Sequence, residues 1–552
     1  MSIVSVEHAD GIAVVTVDNP PVNALSQALR QGLWETVAAL DADPSVRAVV
    51  LICAGRTFIA GADVSEFGKP PVPPHLPDLV DRLEGAVKPW VAAIHGSTLG
   101  GGFEVAMGCR FRVALDSALV GLPEVNLGIV PGASGTVRTP RLAGVAVAVE
   151  LVTSGRPVAA PRALETGLVD AVVSGDLKAE AVAFARVALS RPLPPPVSAR
   201  PVASPDPVWW EAQREVIARE RPGEIAPLAA LDCLRRAAEK PFVEALAEER
   251  ATFLRLRGSP QAAALRHIFF AERAAPRPAV LSGVQPRPIR SGAVIGGGRT
   301  AVETAAILRA ADVAVHAVGG GDVSRRTVAQ EPGLITADLI IVDGEGDPGE
   351  LAVVLSKLGR ICRPDAVLAT ASGLPGVLPP DLIGPERCVG LRFLGHHGGV
   401  GLLEVASFAE SSPETLSTGF ALAKRLGSVP VLSRPGGFIA TRLRERCRAA
   451  ADALVAEGVP VAEIAAALRD YGFRWEPFEA KPDPAEGSGA LDRAVKGPAG
   501  IAQSLVDAMA EEGRALLAEG VAAKASDIDL VAVHGLGFPR WRGGPMFAGG
   551  IV

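Results

Sequence analysis

The stretch Val91-Ala-Ala-Ile-His-Gly-Ser-Thr-Leu-Gly-Gly-Gly-Phe-Glu-Val-Ala-Met107 contains the fold in miniature. Val91–Ile94 is a short apolar run that reads as a buried strand, and Phe103–Met107 resumes helix-forming residues. Between them stand Gly100, Gly101 and Gly102, and Glu104 falls in the first turn of the new helix. A strand passing through a glycine turn into a helix is an α/β signature. Glycines without a Cβ let backbone approach a ligand closely. The helix N-terminus adds unpaired N–H groups with partial positive charge, which suits an oxygen that develops negative charge.

Upstream, Gly11–Val17 reads as a buried strand, Ser26–Ala42 as a helix and Val46–Ile52 as a second strand entering the loop Ala54–Asp63. Strands and helices alternate in this way to about residue 190. The segment Phe58-Ile-Ala-Gly-Ala-Asp63 can bring a second backbone N–H to the same oxygen. Downstream, Gly121-Leu-Pro-Glu-Val-Asn-Leu-Gly-Ile-Val-Pro-Gly132 places Glu124 in a rigid turn. A glycine run before a helix is by itself usually packing, and a first-turn Glu usually complements the helix dipole. Two loops and two spaced carboxylates together read instead as a general acid and base beside an oxyanion hole.

The whole chain has 552 residues, 48% of them hydrophobic and 21% charged, which excludes a disordered, collagen-like or disulfide-stapled protein and suggests three or four domains. A net charge of −6 argues against nucleic acid as a partner. The six cysteines show no CxxC spacing, so neither a metal site nor a redox dithiol is expected. No apolar run is long enough to span a membrane, no signal peptide stands at the N-terminus, and the C-terminal Phe-Ala-Gly-Gly-Ile-Val is no peroxisomal address. The expectation is a cytoplasmic protein.

Beyond residue 190, Arg191–Pro207 is proline-rich and extended, and residues 209–273 are helical and charged, so 191–288 reads as a linker. A second α/β domain is expected over 289–436. It opens with Gly292-Ala-Val-Ile-Gly-Gly-Gly-Arg-Thr-Ala301, a strand, turn and helix in which Gly296, Gly298 and Ala301 make a G-x-G-x-x-A dinucleotide loop. The acid expected at the end of the next strand is missing, and Arg325 and Arg326 lie just beyond. Residues 437–552 turn all-helical and contain a repeat: Leu454-Val-Ala-Glu-Gly-Val459 is echoed by Leu517-Ala-Glu-Gly-Val521, and Gly472-Phe473 by Gly537-Phe538. The expected architecture is α/β and multidomain, with an all-α duplicated tail.

At Pro20-Pro-Val-Asn-Ala-Leu25, Thr57–Asp63, His95–Glu104 and Leu122–Thr136 the chain resembles the crotonase (enoyl-CoA hydratase/isomerase) superfamily. The resemblance implies a ββα spiral over 1–190 and an acyl-CoA thioester as substrate, with no cofactor needed for hydration. It also implies that the N–H groups of Ala62 and Gly101 hold the thioester oxygen, while Glu104 and Glu124 activate water for addition to a 2-enoyl-CoA. Isomerisation of a 3-enoyl-CoA uses the same parts.

With Ser259–Arg273, Gly401-Leu-Leu-Glu-Val405, Gly437-Phe-Ile439, His534–Arg540 and Arg542–Met546, the chain resembles the multifunctional fatty-acid β-oxidation enzymes along almost its entire length. Those join a hydratase/isomerase to an NAD-dependent 3-hydroxyacyl-CoA dehydrogenase. The second half departs from that pattern. Arg392 stands where the family has its catalytic His, Thr441 where it has Asn, and Ser372 aligns with its Ser only across a one-residue gap. Glu404 matches the acid that orients the His. A guanidinium keeps its proton and cannot act as a base, and His396 and His397 read as loop residues rather than substitutes. The expectation is a hydratase with an inactive dehydrogenase-type half, acting as a monomer or small homo-oligomer. Two alternatives stay open: a bifunctional enzyme that also uses NAD, and a C-terminal half serving as a non-catalytic assembly or docking module.

Overall fold

The computed structural model describes residues 3–63, 66, 70–318, 332–343, 348–371, 378–395, 401–475 and 497–551. They form two compact units, Met1–Ala263 and Ala264–Val552.

The first unit contains β1 (Val4–Ala9), β2 (Ile12–Val17), β3 (Ala48–Cys53), β4 (Trp90–Ile94), β5 (Ser97–Leu99), β6 (Phe111–Leu115), β7 (Leu119–Gly121), β8 (Val158–Ala159) and β9 (Ala171–Val173). Six of them make one sheet in the order β1-β2-β3-β4-β6-β9, and β5-β7-β8 make a second. The N-terminal residues form a hairpin. Ala9 pairs with Ile12 across Asp10 (φ 51°) and Gly11 (φ 82°), the two positive-φ positions of a type I′ turn. From β2 onward the large sheet is parallel. Its strands read as continuous apolar runs because both faces are covered. Ala13, Val15 and Val17 of β2 enter the main core, while Ile12 and Val14 meet Leu177, Ala181 and Ala185 of the helix Leu177–Ala188.

The structure divides the stretch expected to be a linker between the two units. The helices Pro207–Glu220, Ile225–Glu239 and Phe242–Arg257 place Trp210, Ile217, Leu231, Leu234 and Leu256 in the main core of the first unit. Apart from the buried Glu249, most of their charges lie on the outer faces of amphipathic helices, so composition alone makes them look solvated.

The second unit has a seven-stranded sheet: β10 (Ser291–Ile295), β11 (Ala314–Val318), β12 (Leu339–Val342), β13 (Val367–Thr370), β14 (Cys388–Leu394), β15 (Leu402–Ser407) and β16 (Val429–Ser433). The order is β11-β10-β12-β13-β14-β15-β16, parallel except for the antiparallel pair β14/β15. The order reverses at β10, so the glycine loop after β10 sits at a topological switch point, where open α/β sheets bind ligands. Helices follow β16, among them Ile439–Ala456 and Pro498–Ala518. The two echoed sequences end these helices identically. Gly458 (φ 96°) and Gly520 (φ 75°) turn left-handed, and the N–H groups of Val459 and Val521 reach back to the Leu454 and Leu516 carbonyls at 3.0 and 2.9 Å. Both are Schellman caps. The two Gly-Phe turns also meet, with Phe473 and Phe538 edge to face at 5.0 Å.

Candidate active site

The glycine loop is shaped by what surrounds it. Gly100 has φ 54°, and a Cβ there would lie 2.7 Å from Glu124 Oε1. A Cβ on Gly102 would overlap the Ile59 carbonyl oxygen at 1.9 Å. Gly101 is the first residue of the helix Gly101–Gly108, so its N–H has no carbonyl one turn back. Its missing Cβ would be 3.8 Å from the backbone N of Ala62. Ala62 forms an isolated parallel bridge with Leu25, but the bond runs from the Leu25 N–H to the Gly61 carbonyl at 3.0 Å. In a parallel pairing that pattern leaves Ala62's own N–H outside the ladder. The fold therefore brings the two expected oxyanion groups together. Asn23 of the Pro20–Leu25 motif braces this arrangement from behind, donating through Nδ2 to the Ala54 and Thr57 carbonyls at 2.9 Å each.

Both candidate carboxylates are buried, and their surroundings differ. Glu104 Oε1 accepts from the N–H groups of Ala133 and Gly135, each at 2.8 Å. Burial raises its proton affinity above the usual carboxylate range, and those two bonds and the nearby Arg138 and Arg250 offset this only in part. Glu124 opens the 3-10 turn Glu124–Leu127, and its Oε2 is buried without a hydrogen-bond partner among the described residues. Burial first, then the charge of Glu104, holds this carboxyl well above the usual carboxylate range. Two neighbouring acids in unlike environments are suited to different proton-transfer roles.

The sequence reading missed a third acid. Glu249, fully buried on the helix Phe242–Arg257, accepts from the Ser134 N–H at 2.6 Å, the Thr136 N–H at 2.7 Å and the Thr136 hydroxyl at 2.5 Å. Burial and the charge of Glu104 push it up to about 8. A signal was present: Ala245, Glu249, Thr252 and Leu256 form the buried stripe of their helix, and a carboxylate on such a stripe needs a partner.

In the second unit the fold also assembles expected residues. Arg392 and Glu404 are directly opposed across β14 and β15. The Arg392 guanidinium donates to the Thr441 hydroxyl and lies 5.6 Å from the Phe438 ring centre. Glu404 is fully buried and caps the helix Ile439–Ala456, accepting from the Ile439 and Ala440 N–H groups and from the Ser433 hydroxyl. Gly296 (φ 155°) packs so tightly that a Cβ would meet Asp343 Cβ at 2.8 Å and Ala301 Cβ at 3.0 Å, and Gly298 caps the helix Arg299–Ala310. Ser372, His396, His397, Arg325 and Arg326 lie outside the described residues. Among the described residues, no group of His, Cys, Asp or Glu side chains is placed to hold a metal ion, and no helix is long and apolar enough to cross a membrane.

Two family models match this chain: enoyl-CoA hydratase/isomerase over residues 7–193, and 3-hydroxyacyl-CoA dehydrogenase, NAD binding domain, over residues 352–435. The chain is similar to the peroxisomal bifunctional enzyme of Danio rerio, 32% identical over 661 residues that span 98% of this chain and 91% of that protein. It is 29% identical to the peroxisomal bifunctional enzyme of Cavia porcellus, over 97% of this chain and 91% of that protein. It is 26% identical to the fatty acid oxidation complex subunit alpha of Shewanella frigidimarina, over 97% of this chain and 92% of that protein. An alignment of 661 residues exceeds the 552 available here, so the Danio rerio relative carries segments that this chain lacks. By its sequence along nearly its whole length, and by both matched domains, the chain belongs to the family of multifunctional fatty-acid β-oxidation enzymes that join an enoyl-CoA hydratase/isomerase to a 3-hydroxyacyl-CoA dehydrogenase-type half.

Proposed function

We propose that the protein hydrates 2-enoyl-CoA thioesters with Glu104 as general base and Glu124 as general acid, and that its second half does not oxidise the product. The observation that supports the first part most is the contrast between the acids: Glu104 is anchored by two backbone N–H groups, and Glu124 is buried with an unpartnered oxygen. An anchored carboxylate favours its charged form and accepts a proton from water. A buried carboxyl with one unpartnered oxygen beside another acid favours its neutral form and has a proton to give.

In this reading the water oxygen bonds to C3 while its proton passes to Glu104. The electron pair of the C2–C3 double bond moves toward the thioester oxygen, where the N–H groups of Ala62 and Gly101 stabilise the enolate. Glu124 then delivers its proton to C2, which restores the thioester carbonyl. A proton passed from Glu104 back to Glu124 completes the cycle. The same acids, removing a proton from C2 and returning one to C4, shift a 3-enoyl double bond. Steady-state hydration of crotonyl-CoA and longer 2-enoyl-CoA substrates tests the reading: wild type must exceed a Glu104→Ala/Glu124→Ala double variant, and equality between the two sinks it.

For the second half, the support is the chemistry of the residues at the expected base position. NAD, when bound, supplies a hydride acceptor, and the close-packed Gly296, Gly298 and Ala301 would hold its pyrophosphate at the helix N-terminus. Oxidation also needs a base for the hydroxyl proton. Arg392 cannot take one, and Glu404 is engaged in capping a helix. NADH formation from 3-hydroxybutyryl-CoA and NAD is expected to be absent, and measurable turnover overturns this part. A cytoplasmic location and a monomeric or small homo-oligomeric state belong to the same proposal, and fractionation and light scattering test them.

A further inference from the structure

The geometry points to Glu249 as a positioning residue for hydration: from the helix Phe242–Arg257 it locks the turn Ala133–Thr136, whose alternate N–H groups hold Glu104, and it completes a cluster of three buried carboxylates. The inference rests on the reading of Glu104 and Glu124 as the hydratase acids.

Four consecutive N–H groups at the start of the helix Gly135–Ala143 are shared between two carboxylates. Those of Ala133 and Gly135 go to Glu104 Oε1, and those of Ser134 and Thr136 go to the two oxygens of Glu249. Glu104 is therefore held only while the turn keeps its shape. Ser134 sits at φ 84°, a left-handed conformation that serine seldom adopts, so the turn needs restraint from outside. Arg138 adds one contact through the Ser134 hydroxyl, and Arg250 donates to the Gly132 carbonyl at 3.3 Å. Glu249 supplies the strongest restraint, its carboxylate accepting three hydrogen bonds from the turn.

The cluster is also electrostatic. The titratable and charged groups that act on Glu249 or respond to it are Glu104, Glu124, Cys233 and Arg250, and Arg138 stands one contact away, on the Ser134 hydroxyl. Burial pushes the Cys233 thiol up to about 11, so it stays neutral. Any charge on Glu249 raises the proton affinity of Glu124 and is in turn affected by Glu104. A glutamine at this position would present an amide N–H₂ to one of the two backbone donors, which breaks that bond and removes the charge.

The test is the pH dependence of kcat and KM for crotonyl-CoA hydration by the full-length Glu249→Gln variant. A fall in kcat of about 10- to 100-fold is expected, with KM little changed and the alkaline limb of the profile moved to lower pH. The limb moves down because Glu249, once ionised above about pH 8, helps Glu124 keep its proton, and the Gln variant has no such charge. Glu249→Asp keeps the charge but shortens the reach, so it should lower kcat and leave the limb where wild type has it. Wild-type kcat in the Gln variant overturns the inference, as do equal losses in both variants with unmoved limbs. If the Gln variant does not fold, the Asp variant decides: reduced kcat with a wild-type limb supports the inference, and wild-type kcat overturns it. Failure of wild type to hydrate any enoyl-CoA instead removes the underlying reading.

Discussion

At the scale of single residues, the site pairs a stabilising contact with a destabilising one. Glu104 has backbone donors, whereas Glu124 has a buried oxygen without a partner, and burying such a group costs stability. Each of Glu104→Gln and Glu124→Gln is expected to lower kcat for hydration by about 10²- to 10⁴-fold, the usual range for losing a positioned acid or base. The stability prediction has the opposite sign. Glu124's folded-state proton affinity is raised, so over the interval above the ordinary carboxylate range the native state binds more protons than the unfolded state. Its contribution to stability is thus lost as pH rises through that interval. The Tm of Glu124→Gln minus that of wild type should therefore grow as pH rises above the ordinary carboxylate range. A constant difference would show that Glu124 is not a buried, proton-retaining acid. Gly102→Ala is a separate test of the loop. Its Cβ would collide with the Ile59 carbonyl, so the variant should lose hydration and fold stability together, as read by circular dichroism and assay.

At the scale of elements, short-range signals translated well into structure. Asp10-Gly11 encodes a type I′ hairpin that pairs β1 with the strand read at Gly11–Val17. The echoed Ala-Glu-Gly-Val sequences encode the same Schellman cap twice, at Gly458 and Gly520. Both glycines have open space where a Cβ would go, so the penalty of an alanine there is conformational rather than steric. Gly458→Ala and Gly520→Ala should each destabilise the protein by about 1 kcal/mol, measured by chemical denaturation, with hydration unchanged. Where elements misled, the cause was amphipathicity. The helices Ile225–Glu239 and Phe242–Arg257 are charged enough to pass for a linker, yet Leu231, Leu234 and Leu256 are buried in the core.

At the scale of the whole molecule, the first compact unit ends at Ala263, well beyond the proline-rich stretch that begins at Arg191. Two fragments distinguish the boundaries. Residues 1–263 should fold and hydrate crotonyl-CoA within about 10-fold of the full chain, as they retain Glu249 and the core that surrounds it. Residues 1–190 should be insoluble or inactive, because they lose the helices that pack on Gly135–Ala143 and Val145–Ser154. Sequence alone determined the α/β class and the glycine loop, and singled out Glu104 and Glu124 as candidate acids and Arg392 as a residue that cannot serve as a base. Each of these is carried by residue type and short spacing, and local chemistry is legible within a single turn or loop. Tertiary structure alone decided that the charged helices belong to the first unit and that Glu249 joins the acids. Its bonds to Ser134 and Thr136 cross 115 and 113 residues of chain. No periodicity spans such a distance; only the packing of one buried helix stripe against the turn brings those groups together.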